Sequence, residues 1–147
     1  MSKNITQSRS AGLTLSRIIF WFCAFYFFLM GMSLILIPGF LVRGMTNGDI
    51  DQRIIGILRG AGGSILPYSL LYILIATEPG KRKWALYVLL AANLIAVILD
   101  LVSVIAGEYV FSNAMIDLPV EILSIIGVTL VFRMIKTADR PDGNKRI

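Results

Sequence analysis

Apolar residues of this 147-residue chain gather in four long stretches that short polar connections separate. The stretches cover about residues 18–37, 54–76, 84–106 and 118–135. Each has roughly 20 residues, the length that an α-helix needs to cross a hydrocarbon layer of about 30 Å. The pattern predicts an all-α polytopic membrane protein, an antiparallel bundle of four transmembrane helices in a single membrane domain, 1–147. Residues 138–147 are predicted to form a mobile polar tail.

The connections contain residue types that end or begin helices. The segment 77–80, Thr-Glu-Pro-Gly, predicts a tight turn that makes the second and third helices antiparallel neighbours. Pro38 and the glycine after it predict the end of the first helix. Asp117 and Pro119 predict the start of the fourth helix, because an acidic residue and a proline are both favoured in a first helical turn. The longest connection, 40–53, is expected to lie along the membrane interface.

Lysine and arginine are distributed unequally between the connections. With four spans, the N-terminal tail, the second connection and the C-terminal tail share one side of the membrane. That side carries eleven basic residues, whereas the other side carries only Arg43 and Arg53. Because basic loops are retained on the cytoplasmic side, both termini are predicted to be cytoplasmic. The predicted location is the bacterial inner (plasma) membrane. The eleven residues are Lys3, Arg9, Arg17, Lys81, Arg82, Lys83, Arg133, Lys136, Arg140, Lys145 and Arg146.

The amino-acid composition limits the kinds of functional site that this chain can form. Hydrophobic residues make up 56% of the chain and charged residues 16%, against about 25% charged residues in a soluble domain. The net charge of +5 is ascribed to attraction by anionic lipid headgroups, and nucleic acid is not expected as a partner. The chain has no histidine and one cysteine, Cys23, which is expected to be a small apolar helix residue. These counts exclude, for this chain alone, haem or chlorophyll ligated by histidine, a structural zinc site and a cysteine–histidine nucleophile.

Small residues in the second stretch predict close helix packing. Gly56 and Gly60 are four residues apart, Gly63 lies near the same face, and glycines let helix backbones approach in lipid. They predict a seam with another helix of this chain, or with a second copy in a homo-oligomer. Pro67 is expected to kink this helix. The aromatic segment 20–28 predicts an interfacial belt or helix packing, or else contact with a flat lipid or quinone.

Three ionisable residues lie inside the predicted spans and define one candidate polar cluster. Arg59, Asp100 and Glu121 occur on three different helices, each within about 10 Å of the outer membrane surface by helical rise. Charges in lipid are costly, so we expect these side chains to face inward, with Arg59 bridging the two carboxylates. Asn93 lies seven residues before Asp100, on the same helical face. Two interpretations are open: the cluster locks the helices together, or it is the polar end of a ligand, proton or cation site.

Part of the chain resembles a family of small bacterial four-helix integral membrane proteins that share a domain of unknown function. The resemblance covers about half of the chain, from Gly56 to Glu121. It rests on the segment Arg59-Gly60-x-Gly62-Gly63, the basic turn at Arg82, Asp100 and Glu121. In that family the position of Asp100 is more often basic, so this residue departs from the pattern. The resemblance implies the four-helix membrane architecture and no particular activity.

No catalytic motif occurs in the sequence, neither a nucleophile paired with a base nor a phosphate-binding loop. We therefore expect a non-catalytic accessory or interaction subunit of a larger membrane assembly, with membrane lipids and other membrane protein subunits as its partners. The alternative is an ion- or small-molecule-binding protein or transporter component that uses the Arg/Asp/Glu cluster. A small membrane enzyme acting on lipid or quinone ranks third.

Overall fold

A computed structural model describes residues 2–43, 52–107 and 111–138 of the chain, with side chains over 11–40, 52–107 and 115–136. Within these ranges all regular structure is helical and no strand occurs. The elements in chain order are α1 (Ser2–Leu36), α2 (Pro38–Arg43), α3 (Gln52–Thr77), α4 (Lys83–Ile105) and α5 (Phe111–Ala138).

Four of the helices are long and apolar enough to cross a membrane. The qualifying segments are Ala11–Leu36, Gln52–Thr77, Lys83–Ile105 and Met115–Lys136. Each overlaps one of the four apolar stretches of the sequence. The predictions of an all-helical chain and of four membrane-length helices are therefore confirmed.

The first helix ends just before Pro38, as the sequence predicts, but a second, short helix begins at this proline. α1 ends at Leu36, Ile37 is not helical, and α2 starts at Pro38. A residue that precedes proline is disfavoured in the helical conformation, whereas proline itself suits the first position of a helix. The proline thus separates two helices. Of the polar residues predicted along the interface, Arg53 is an exposed residue of α3, whereas Asp49 and Asp51 lie outside the described residues.

The prediction that Asp117 and Pro119 begin the fourth long helix is wrong. α5 begins at Phe111, so Pro119 lies in its interior. Six residues precede Asp117 in the helix, and its first turn contains no acidic residue. Proline in a membrane helix is tolerated where neighbouring groups satisfy the backbone, so this proline does not mark a boundary. The earlier start places both Asp117 and Glu121 well inside α5.

The connection between α3 and α4 is the tight turn that the sequence predicts. Residues 78–82 link the two helices, and the Lys81 amide donates a hydrogen bond to the Glu78 carbonyl at 3.2 Å. At its other end, α4 finishes in a turn in which the Gly107 amide donates to the Val104 carbonyl at 3.1 Å. Gly107 has a φ of 73°, the left-handed conformation that favours glycine after a helix.

The described chain divides into two compact units, residues 1–20 with 74–147, and residues 21–73. In the second unit, the later part of α1 packs on α3. The rings of Phe27 and Tyr72 are stacked, with centroids 5.3 Å apart. A Cβ added to Gly62 would lie 2.7 Å from the Gly31 carbonyl oxygen and 2.9 Å from the Leu34 Cβ. The backbones of α1 and α3 therefore touch at these two glycines.

The glycines that the sequence predicts at this seam are not the ones that form it. A Cβ added to Gly56, Gly60 or Gly63 would meet no described atom within 4 Å. Gly62 makes the close approach instead, and its partner Gly31 lies on α1. No contact within the described residues marks a seam at Gly56, Gly60 or Gly63, and a seam there, with this chain or a second copy, stays a prediction. α3 is assigned as one helix through Pro67, and the predicted kink stays a prediction.

In the first unit, α4 packs along α5, and the first part of α1 lies against the later part of α5. The rings of Tyr87 and Phe132 are 4.8 Å apart between centroids. Gly127 lies close to α1, where an added Cβ would be 3.0 Å from atoms of Ile19 and Phe20. These contacts fix α5 between two helices. The predicted polar tail falls, from residue 139 onward, outside the described residues, and the single membrane domain stays a prediction.

Candidate functional site

Glu121 is the most buried acidic side chain among the described residues. It lies in the interior of α5, and only 7% of its surface is exposed. Its Oε2 atom is buried and accepts no hydrogen bond from the described part of the chain. Because polar groups that leave water are normally hydrogen-bonded, a buried carboxyl oxygen without a donor needs a separate explanation. Glu121 is therefore the centre of the candidate site.

Two further carboxyl groups lie within electrostatic range of Glu121. They belong to Asp100 on α4 and Asp117 on α5, and both side chains are partly buried. Asp117 precedes Glu121 by four residues, so the two occupy the same face of α5, about 6 Å apart along the axis. α4 and α5 pack together, which brings Asp100 to the pair from the neighbouring helix. Negative charge on all three groups would be mutually repulsive.

Asp117 is a site residue that sequence reasoning missed. Its position before a proline indicated a helix start, where an acidic residue has a purely structural role. The signal that would have found it is its spacing of four residues from Glu121, which places both on one helical face. Glu121 is the eleventh residue of α5, so it lies in the helix interior and not in the first turn.

The predicted polar neighbours of the cluster are mostly bound to their own helices. Asn93 is 5% exposed, and its Nδ2 donates to the Leu89 carbonyl at 2.7 Å. Ser64 donates to the Gly60 carbonyl at 3.1 Å. Ser124, one turn after Glu121, is fully buried. Asn93 thus has its amide nitrogen bonded to its own helix, α4.

Arg59 belongs to the unit formed by residues 21–73, whereas Asp100 and Glu121 belong to the other unit. Its side chain is exposed. The bridge from Arg59 to the two carboxylates stays a prediction.

No set of three His, Cys, Asp or Glu side chains within the described ranges is grouped closely enough to hold a metal ion. The carboxyl groups of Asp100, Asp117 and Glu121 thus interact electrostatically without forming a three-ligand cage. One carboxyl group of such a cluster can bind a proton or a singly charged cation. The charges of the other two carboxyl groups then affect how tightly it is bound.

No family model, curated protein or solved structure matches this chain. The resemblance to the small bacterial four-helix family therefore stays a prediction. Function has to be argued from the side chains that the fold brings together.

Proposed function

We propose that this chain is a four-span protein of the bacterial inner membrane with both termini in the cytoplasm. The unequal distribution of lysine and arginine supports this orientation. The contacts of α1 with α3 support an antiparallel arrangement of these helices, because residues later in α1 contact residues earlier in α3. Phe27 contacts Tyr72, and the glycine at position 31 lies against Leu66. Leu34 lies against Gly62.

We further propose that the protein binds a small cation inside the membrane, at Glu121. The observation that carries this proposal is the buried Oε2 atom of Glu121, which has no hydrogen-bond donor among the described residues. Ionisable groups at membrane depth are expensive to insert, and they commonly mark the pathways of ions and substrates. A carboxylate that only locked two helices together would be expected to accept a hydrogen bond from a side chain of the neighbouring helix.

The balance of charge favours a positively charged ligand. Asp100 and Asp117 add two more carboxyl groups near Glu121. A neutral ligand would leave the excess negative charge in place, whereas a cation reduces it. The proposed role is therefore that of an ion- or small-molecule-binding membrane protein or a transporter component.

Thermal unfolding of the full chain in mild detergent tests this role. The probes are Na⁺, K⁺ and the lipophilic cation tetraphenylphosphonium, each titrated at constant ionic strength against choline chloride. A bound cation stabilises the folded protein by about 2.7 kcal/mol at one hundred times its dissociation constant. We expect at least one probe to raise the unfolding temperature of the wild type and to lose its effect in Glu121→Gln.

The matched control is Glu78→Gln, which removes an exposed carboxyl from the turn between α3 and α4. This variant should respond to the same probe as the wild type does. The role is refuted if no probe stabilises the wild type beyond choline, or if Glu121→Gln responds as strongly as the wild type.

The role of accessory subunit in a larger assembly stays a prediction. α4 leaves most of its apolar surface exposed, as at Ile95, Ile98 and Leu99. Such a surface suits lipid and a neighbouring membrane protein equally well, because acyl chains are as apolar as these side chains. The exposed face of α4 therefore does not favour either partner.

A further inference from the structure

We propose that Glu121 is a proton-binding site inside the membrane and that Asp117 is the residue through which the proton reaches it from the outer side. The inference rests on the proposed cation site and names its occupant when no other cation is bound. Three observations carry it: the burial of Glu121, the surroundings of its carboxyl group, and the position of Asp117 along α5.

Burial of Glu121 favours a neutral carboxyl group. The side chain is 7% exposed, and its Oε2 has no hydrogen-bond donor among the described residues. An ionised carboxylate in such a place loses its hydration, and its Oε2 receives no hydrogen bond from the described residues in return. A protonated carboxyl carries no net charge, so the same burial costs much less.

The charged groups around Glu121 favour the same form. In the unit that contains Glu121, α4 contributes Asp100, and α5 contributes Asp117. Both are acidic and would repel a carboxylate. Among the basic side chains that the structure describes on α5, Arg133 follows Glu121 by twelve residues, about 18 Å of helix. α1 brings Arg17, whose Nη2 donates to the Thr77 carbonyl at 3.4 Å.

Asp117 is placed to relay a proton. It lies one helical turn before Glu121 on the same face of α5, toward the end of the span that begins at Met115. Its side chain is partly buried, whereas that of Glu121 is buried, so accessibility falls from the end of the span inward. In the proposed step a hydrated proton binds the Asp117 carboxylate and then passes to the Glu121 carboxylate. Asp117 returns to its ionised form, and Glu121 becomes a neutral acid.

Infrared spectroscopy of the full chain in phosphatidylcholine vesicles tests the proposal, because a protonated carboxyl has its own C=O absorption band. Exposed Asp and Glu side chains are ionised above about pH 5, since they titrate near 3.9 and 4.3. We expect a protonated-carboxyl band at about pH 6 in the wild type. Carbon-13 labelling of glutamate alone should shift this band, and Glu121→Gln should remove it.

A second variant assigns the band to Glu121 if Glu121→Gln does not fold. Glu78 and Glu108 are the other glutamates of the chain, so the double variant Glu78→Gln/Glu108→Gln leaves Glu121 as its only glutamate. The labelled band must survive in that variant. The relay is tested by a pH jump: Asp117→Asn should slow growth of the band at least tenfold, whereas Glu78→Gln, which changes a carboxyl group outside the cluster, should leave its rate within twofold.

The proton site is refuted if the wild type shows no labelled glutamate band at about pH 6, or if the band is lost from the double variant. The relay is refuted if Asp117→Asn takes up its proton as fast as the wild type. These results are independent of the thermal test. A glutamate band without stabilisation by Na⁺, K⁺ or tetraphenylphosphonium supports the proton site and refutes the broader cation role. Stabilisation without the band supports the cation role and refutes the proton site.

Discussion

Most polar side chains in the long helices form hydrogen bonds with their own helix backbone. Ser69 donates to the Leu66 carbonyl at 2.7 Å, and Thr129 donates to the Ile125 carbonyl at 2.7 Å. Such local bonds let a hydroxyl enter lipid without a partner helix. A carboxylate can only accept hydrogen bonds, and the carbonyls of a helix interior offer no donor. The residue type itself therefore explains why Glu121 stands apart from the serines and threonines.

The turn between α3 and α4 contains an exposed carboxyl group, that of Glu78, which has a basic partner. The Lys81 ammonium lies 2.8 Å from the Glu78 carboxylate, and its hydrogen bond and charge lower the pKa of Glu78 below 4.5. Because the pKa is lower in the folded state, the pair stabilises the protein above the unfolded value. This stabilisation is lost as the pH falls through the folded value.

We expect the Glu78–Lys81 pair to contribute little, because both side chains are exposed and solvent screens them. Glu78→Gln should lower the unfolding temperature by about 1 °C or less at pH 7, and this difference should shrink as the pH falls through the folded pKa of Glu78. Differential scanning fluorimetry across this pH range measures the effect. A fall of several degrees at pH 7 would contradict the assignment of Glu78 as a weakly coupled surface residue.

At the scale of helices, the sequence predicts the four long apolar helices and the turn at 78–82 but not the start of α5 or its contacts. Asp117 and Pro119 are residue types that favour a helix start, so the sequence assigns the six residues before Asp117 to a connection, although α5 begins at Phe111. The G-x-x-x-G spacing of Gly56 and Gly60 identified α3 as a glycine-rich helix. The face that packs was decided by the partner, since Gly31 on α1 meets Gly62. A single helix sequence carries no information about that partner.

The contact between α1 and α3 predicts a strong difference between neighbouring glycines. In Gly62→Ala the new methyl group would lie 2.7 Å from the Gly31 carbonyl oxygen. This oxygen belongs to the backbone, so it cannot relieve the clash by a change of side-chain rotamer. We expect a loss of about 1–3 kcal/mol in the free energy of unfolding. Unfolding in mixed detergent micelles with increasing dodecyl sulfate, followed by circular dichroism, measures this loss.

Gly60→Ala and Gly63→Ala are the matched controls, because an added Cβ there meets no described atom within 4 Å. Alanine also favours helix over glycine, so both variants should be as stable as the wild type or slightly more stable. Equal destabilisation by Gly60→Ala and Gly62→Ala would show that the seam lies elsewhere on α3.

At the scale of the whole molecule, the proposed orientation predicts which connections are accessible from outside the cell. In a background with Cys23→Ala, a cysteine introduced as Gly80→Cys lies in the basic turn, and one introduced as Asn47→Cys lies in the first connection. With cytoplasmic termini, a membrane-impermeant maleimide should label Asn47→Cys in intact cells and Gly80→Cys only after permeabilisation. Labelling of Gly80→Cys in intact cells would invert the proposed orientation.

The unequal lengths of the long helices constrain the kind of bilayer that suits this protein. α1 has 35 residues and α5 has 28, whereas α4 has 23 and is therefore about 35 Å long. A longer helix adjusts to a thick bilayer by tilting less, but α4 lies between the turn at 78–82 and the left-handed Gly107 and has no spare turn. A bilayer with a hydrocarbon core thicker than about 35 Å would therefore have to thin around α4, whereas the longer α1 could cross it with less tilt.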